Sequence, residues 1–133
     1  MSLTPDDPFA AERPLVLVAT TDGQTRIAVA RAIAHFGLSA LIAMDEATAL
    51  AAARDNAQNL VGAILDAHLS TLPGWEIAYT LHVTFGSLPL AVLSDQTQAA
   101  PADDLGAAAI FAPSDRPALI AYLGSLAISV EVA

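Results

Sequence analysis

Five short apolar runs alternate with segments of helical pattern along most of the chain. The runs occupy residues 15–19, 38–44, 60–65, 88–93 and 107–111. A continuous apolar run of this length is typical of a strand that is buried on both faces. Because strands that alternate with helices form right-handed βαβ units, the pattern predicts one α/β domain. Its doubly wound sheet is expected to have five parallel strands and helices on both faces.

The segments between the runs carry helix start and stop signals. Helices are predicted at residues 25–36, from 45 to about 56, at 74–85 and from 117 to about 126, with a short helical segment within 95–105. Asp45 is a favourable residue for capping the second helix, and Gly37 for ending the first. The predicted buried face of the first helix consists of Ile27, Ala30, Ile33 and Ala34.

The two ends of the chain fall outside this alternation. Residues 1–13 carry acids and prolines instead of a basic start and an apolar stretch, so we expect a flexible leader and a cytoplasmic location. No apolar run approaches the roughly 20 residues needed to cross a bilayer. The folded domain is predicted to span residues 14–126. Residues 127–133 are expected to be a frayed tail, with an edge strand as the alternative because apolar and polar residues alternate there.

The charge balance restricts the classes of partner. The chain has 14 acidic and 5 basic residues, all of the latter arginines, and its net charge is −9. Such a surface repels the phosphates of nucleic acids and anionic lipids, so no nucleic acid or membrane partner is expected. The absence of cysteine excludes disulfides, cysteine nucleophiles and cysteine-based zinc sites.

Polar residues stand where several of the predicted strands end. The carboxyl ends of parallel strands meet at one edge of the sheet, where the chemistry of such domains takes place. The residues at these ends are Thr20, Thr21 and Asp22 after the first strand, Asp66 after the third, Ser94 after the fourth, and Ala112 and Pro113 after the fifth.

This ordered set resembles that of CheY-like receiver domains of bacterial response regulators. Asp66 matches the phosphoacceptor, Gly74 the glycine that follows it, Ser94 the hydroxyl after the fourth strand and Pro113 the proline after the fifth. The resemblance covers about residues 14–126 and implies a flavodoxin-like fold. It also implies phosphorelay signalling, in which Asp66 would attack a phosphohistidine and Ser94 would contact the phosphoryl group. The implied partners are a histidine kinase, a phosphotransfer protein or an output protein, and no enzymatic activity is expected.

Several positions depart from the receiver pattern. The two adjacent acids of receivers are replaced by Thr20 and Thr21, with Asp22 one step late, and the lysine position is Ala112. Further departures are Ser70 at a proline position, Pro101 within the fourth helix and Ala109 at the usual aromatic position. Mg²⁺ would be left with Asp66, Asp22 and the backbone carbonyl of His68, so its binding is expected to be weakened. We therefore predict a degenerate receiver that acts by protein–protein contact, including a homodimer through the last strand and helix.

Two other functions compete with this interpretation. Residues 20–25 also resemble the phosphate loop of flavodoxins, with Asp22 in place of the middle threonine, which would imply an FMN-binding electron carrier. The carboxylate would repel the phosphate, and Trp75 is the only tryptophan that could stack on the flavin. The second alternative is a purely structural interaction domain. At the level of single residues, Asp22 could simply start a helix, while Asp66 and Ser94 could cap the loops that follow them.

Overall fold

The fold was analysed in a computed structural model that describes residues 14–66, 80–81, 83–85, 88–94, 109–112 and 114–132. The strands are β1 (Leu15–Ala19), β2 (Ser39–Ala43), β3 (Leu60–Asp66), β4 (Leu90–Leu93) and β5 (Ala109–Phe111). The helices are α1 (Gly23–His35), α2 (Glu46–Asp55) and α3 (Arg116–Val132). Residues 80–81 and 83–84 are also helical and belong to the helix predicted at 74–85. No helix among these residues is both long and apolar enough to cross a membrane.

The strands form one parallel sheet in the order β2-β1-β3-β4-β5. This order confirms the predicted doubly wound architecture, because the chain first moves outward from β1 to β2 and then returns to β3 on the other side of β1. Residues Val16 to Ala19 are completely buried, as expected for a central strand covered on both faces.

Alternate residues of β1 contribute to two separate core clusters. Leu17 packs with Ala49 and Ala53 of α2 on one face. Val16 and Val18 pack on the other face with apolar residues of α1 and α3. The helices therefore cover both faces of the sheet, because successive side chains of a strand point in opposite directions.

Helix α1 begins earlier than predicted and buries a different face. Asp22 adopts an extended conformation at the N-cap, so the helix starts at Gly23, two residues before the predicted start. Val29 and Ile33 are buried, whereas Ile27 is 52% exposed, so the predicted face was wrong. Ile27 lies two positions from Val29, about 200° around the helix, and cannot share its face. Ala34 is likewise exposed and Ala30 only partly buried, which leaves Ile33 as the predicted position that is fully buried.

The capping predictions at the ends of these helices are confirmed. The Asp45 carboxylate accepts hydrogen bonds from the Thr48 backbone N–H at 2.7 Å and from the Thr48 hydroxyl at 2.6 Å. These bonds, the hydroxyl first, lower the pKa of Asp45 below its usual range. Gly37 follows α1 with a φ of 77°, a left-handed conformation that glycine adopts without steric cost.

The last helix is longer than predicted. Helix α3 continues beyond Leu126 to Val132, so the expectation of a frayed tail or an edge strand over residues 127–133 was wrong for this segment. No glycine or proline interrupts residues 125–132, and β-branched residues lower helix propensity by less than about 1 kcal/mol each. A helix already anchored by buried Leu123 and Leu126 therefore propagates through the alternating segment.

Helix α3 approaches the sheet closely at Gly62 of β3. A Cβ atom at this position would lie 2.5 Å from Leu126 Cδ1 and 2.8 Å from the Tyr122 hydroxyl oxygen. Glycine is therefore required for the observed distance between α3 and β3.

Strand β4 begins at Leu90 rather than at the predicted residue 88, since Pro89 has no N–H to donate to a neighbouring strand.

Candidate functional site

The register of the sheet brings the predicted strand-end residues to one edge. Ala19 pairs with Leu65, which places Thr20 beside Asp66. Asp66 in turn pairs with Leu93, and Leu93 with Phe111, so that Ser94 and Ala112 follow at the same edge. The prediction that these four positions lie along one edge of the sheet is confirmed.

Asp66 is the last residue of β3 and is half-buried. Its Oδ2 atom accepts a hydrogen bond from the Thr20 hydroxyl at 2.9 Å. Thr20 is 1% exposed, so the donor side of this part-buried bond is shielded from bulk water. A hydrogen bond between a hydroxyl and an ionised carboxylate is stronger than one between neutral groups. Thr20 is therefore a direct neighbour of the candidate phosphoacceptor and not merely a substituted position.

The Thr20 hydroxyl has a second partner at the start of α1. It accepts a hydrogen bond from the backbone N–H of Asp22 at 3.1 Å. A threonine hydroxyl carries one proton, and here that proton points to Asp66. The result is a directed chain of hydrogen bonds from the Asp22 amide through the Thr20 hydroxyl to the Asp66 carboxylate.

The Asp22 carboxylate bonds within its own helix. Its Oδ2 atom accepts a hydrogen bond from the Thr25 hydroxyl at 2.5 Å, which is the main cause of a lowered pKa for this exposed group. Asp22 thus occupies the N-cap position, in agreement with the reading that it starts a helix. Its contribution to a metal site stays a prediction.

Ser94 and Ala112 occupy the other two positions of this edge. Ser94 is 4% exposed, and its backbone N–H donates to the Phe111 carbonyl at 2.9 Å, which fixes the end of β4 against β5. Ala112 is half-buried and supplies no charge where receivers carry a lysine. Contact of Ser94 with a phosphoryl group stays a prediction.

Several residues named from the sequence lie outside the described residues. They are His68, Ser70, Gly74, Trp75, Pro101 and Pro113. A metal ligand at the backbone carbonyl of His68 therefore stays a prediction. Thr21, at the second of the two positions where receivers carry adjacent acids, is exposed.

The described residues do not fit a divalent cation in the way the receiver pattern implies. Magnesium is held by lone pairs of carboxylates, carbonyls and water in a near-octahedral arrangement. Within the described ranges, no three histidine or acidic side chains are grouped to hold a metal. Moreover, Thr20 presents a proton to Asp66 Oδ2 at the place where an acidic residue would present oxygens to an ion.

The loop that resembles a flavodoxin phosphate loop is also committed to other contacts. The hydroxyls of Thr20 and Thr25 donate to the carboxylates of Asp66 and Asp22. Neither proton is therefore directed at a phosphate. The Asp22 carboxylate also places a negative charge in the middle of the loop, which disfavours FMN binding.

Comparison with solved structures decides the fold. A response regulator receiver domain from Clostridium thermocellum superposes with a TM-score of 0.75 over 90% of this chain and 98% of its own, at 14% sequence identity. The chain has the fold of a CheY-like receiver domain. The receiver domain of the Francisella response regulator 1452 gives a TM-score of 0.70 at 22% identity, over 89% of this chain and 99% of its own.

A third similar structure is the chemotaxis protein CheY4 of Vibrio cholerae. It covers 86% of this chain and 98% of its own, with 20% identity and a TM-score of 0.71. The sequence itself matches no family model and no curated protein. The chain thus shares the receiver fold with these three structures at 14%, 20% and 22% sequence identity.

The role of Thr20 as a hydrogen-bond donor was missed by sequence reasoning, which treated it only as a lost acid. A signal for it was present, because the first and third apolar runs end at residues 19 and 65. Adjacent parallel strands that end together place the next residues side by side. The contact of Tyr122 with β3 was also missed, since no local pattern in the last helix indicates it.

Proposed function

We propose that the chain is a degenerate receiver module of two-component signalling that acts by protein–protein contact. The observation that carries this proposal is the composition of the Asp66 site. The Thr20 hydroxyl donates a hydrogen bond to the Asp66 carboxylate, and Ala112 stands at the position where receivers carry a lysine. Phosphoryl transfer depends on cations that neutralise the phosphoryl oxygens. The described residues at this edge supply none.

Helix α3 supports a contact function. Between Arg116 and Glu131 it contains no charged residue, although its outer side is accessible. Ile120 is 47% and Ile128 is 63% exposed. A helix that is apolar all round is normally buried or partnered. We propose that α3, with the adjacent β5, forms the contact surface, for a homodimer or for a kinase, phosphotransfer or output protein.

The described part of the chain also has a groove of about 390 Å³ beside this surface, between α1 and α3. Its lining includes Val29, Phe36, Leu119 and Ile120, together with Arg31 and Arg116. The groove extends the accessible apolar area of α3 toward α1.

A cytoplasmic location and the absence of enzymatic activity belong to the same proposal.

The first experiment is intact-mass analysis after incubation with acetyl phosphate or phosphoramidate, with and without Mg²⁺. We expect no gain of a phosphoryl group, in the native protein or in Asp66→Asn. A Mg²⁺-dependent gain that Asp66→Asn abolishes would show a working receiver and overturn the degenerate assignment.

The contact surface is tested by sedimentation and pull-down of Ile120→Glu against Ile27→Glu. The two isoleucines have similar exposure, 47% and 52%, but Ile27 lies on α1. We expect Ile120→Glu to lose self-association or partner binding and Ile27→Glu to keep it. A strictly monomeric native protein without partners would contradict the contact function.

A further inference from the structure

We propose that Thr20 is the positioning residue of Asp66, and that its hydroxyl takes the place of a cation at this edge of the sheet. The site is then held in one arrangement without any bound ion. The inference concerns the carboxylate of the proposed function and rests on that function for its biological meaning. Its test, however, needs neither a signalling partner nor a phosphodonor.

The position of the Thr20 hydroxyl is set by three elements of the fold. The backbone N–H of Thr20 donates to the carbonyl of Ala43, the last residue of β2, at 3.2 Å. The hydroxyl accepts from the N-cap residue of α1 at 3.1 Å and donates to the end of β3 at 2.9 Å. A β-branched side chain also has few χ1 rotamers. The donor is thus fixed before any ligand arrives.

The hydrogen bond performs the electrostatic part of an ion's role. A half-buried carboxylate needs a partner that offsets its charge. In a site with several acids a metal ion is such a partner, whereas here the proton of a neutral hydroxyl is one. A cation that approached Asp66 Oδ2 would meet this proton on one side of the oxygen. At position 20 it would find a hydroxyl where receivers supply a second carboxylate. The same hydrogen bond therefore organises the site and opposes ion binding.

Four substitutions at Thr20 separate this role from simple packing. Thr20→Ser keeps the hydroxyl, and Thr20→Val keeps the shape without the donor. Thr20→Asp adds a carboxylate, and Thr20→Asn matches its size without the charge. The measurements are Mn²⁺ binding by electron paramagnetic resonance, urea unfolding with and without Mg²⁺, and the NMR shifts of the Asp22 amide and the Asp66 carboxyl carbon.

The proposal predicts a distinct result for each variant. Thr20→Ser retains the native NMR shifts, and Thr20→Val changes both of them. Thr20→Asp binds Mn²⁺ at least about tenfold more tightly than the native protein, which corresponds to about 1.4 kcal/mol. Its urea midpoint is low without Mg²⁺ and recovers when Mg²⁺ is added, because the ion offsets two adjacent carboxylates. Thr20→Asn shows neither tighter binding nor recovery.

Two results would overturn the proposal. One is native protein that binds Mn²⁺ as tightly as Thr20→Asp. The other is Thr20→Val with unchanged shifts at both Asp22 and Asp66. Either result would leave the contact function standing, because that function is measured through α3. Conversely, loss of the contact function would leave the Thr20 measurements unchanged, so the two failures are distinguishable.

Discussion

The Tyr122 hydroxyl accepts a hydrogen bond from the backbone N–H of Ala63 at 3.1 Å, and so joins α3 to the central strand β3. Its own proton lies within reach of the carbonyl oxygens of Ala63 and Pro89, at 3.1 and 2.9 Å. Tyr122 is 9% exposed, so these contacts form inside the core. One phenol thereby connects α3 to β3 and to the residue that precedes β4.

Tyr122→Phe removes this connection while it keeps the aromatic ring. We expect the free energy of unfolding to fall by about 1–2 kcal/mol, since buried backbone groups lose one of their partners. The Ala63 N–H retains its bond to the Pro89 carbonyl, which limits the loss. Urea unfolding followed by circular dichroism measures the effect. An unchanged midpoint would mean that the hydroxyl contributes no net stability.

Tyr122 also predicts how stability depends on alkaline pH. Burial raises the pKa of this phenol above its ordinary value of 10.0, so the folded protein holds the proton more tightly than the unfolded chain. The associated stability is complete below pH 10 and is lost as the pH rises toward the folded pKa. The slope reaches about 1.4 kcal/mol per pH unit.

The composition makes this alkaline test selective. The chain has no lysine and no cysteine, so its tyrosine side chains are the ones that titrate between about pH 9 and 11. We expect ultraviolet absorbance to show Tyr122 ionising only as the protein unfolds. Tyr122→Phe should lack this step and lose less stability between pH 10 and 11. Equal alkaline slopes in the two proteins would contradict the assignment.

Two glycines give a matched pair of substitutions. Gly62→Ala should destabilise the protein by about 1–3 kcal/mol, because its Cβ would overlap Leu126 and the Tyr122 hydroxyl. Gly124→Ala should stabilise it by up to about 1 kcal/mol, because its Cβ would meet Phe36 at an ordinary 3.7 Å within a helix. Thermal unfolding of both variants checks the prediction. A similar change in both would refute the close approach of α3 to β3.

Rebuilding the Asp66 site should create phosphorylation. We expect Thr20→Asp combined with Ala112→Lys to take a phosphoryl group from acetyl phosphate in the presence of Mg²⁺. The rate should be on the order of a hundredfold higher than in a control that lacks the lysine charge, the usual effect of a charge-stabilising group. The control pairs Thr20→Asp with Ala112→Gln, which keeps a long side chain without the charge. If the folded double variant stayed unmodified, these two positions would not be what disables Asp66.

Much of the architecture could be predicted from the sequence, because the apolar runs are short, continuous and regularly separated. The ends of these runs then locate the edge of the sheet at which Thr20, Asp66 and Ser94 lie. In a parallel sheet, residues that follow the ends of adjacent strands lie next to each other. For that reason the candidate site could be located without any single strong motif.

The errors arose where local patterns were ambiguous. The alternation of residues 128–132 is the pattern of a strand, but no glycine or proline prevents a helix there, and anchoring of α3 by Leu123 decides for the helix. On α1, alanines surround the helix, so the apolar pattern did not determine whether Ile27 or Val29 faces the sheet. The direction of the Thr20 proton depends on atoms from three elements and cannot be derived from composition.

The pairing of β1 with β3 has a consequence for the kinetics of folding. Thr20 and Asp66 are 46 positions apart, and β1 cannot pair with β3 until the intervening chain has closed into a loop. Contacts of such long sequence separation form slowly and lie near the rate-limiting step of folding. We therefore expect the Asp22 amide to gain protection from hydrogen exchange late in refolding, together with β3. The candidate site would then report completion of the central sheet.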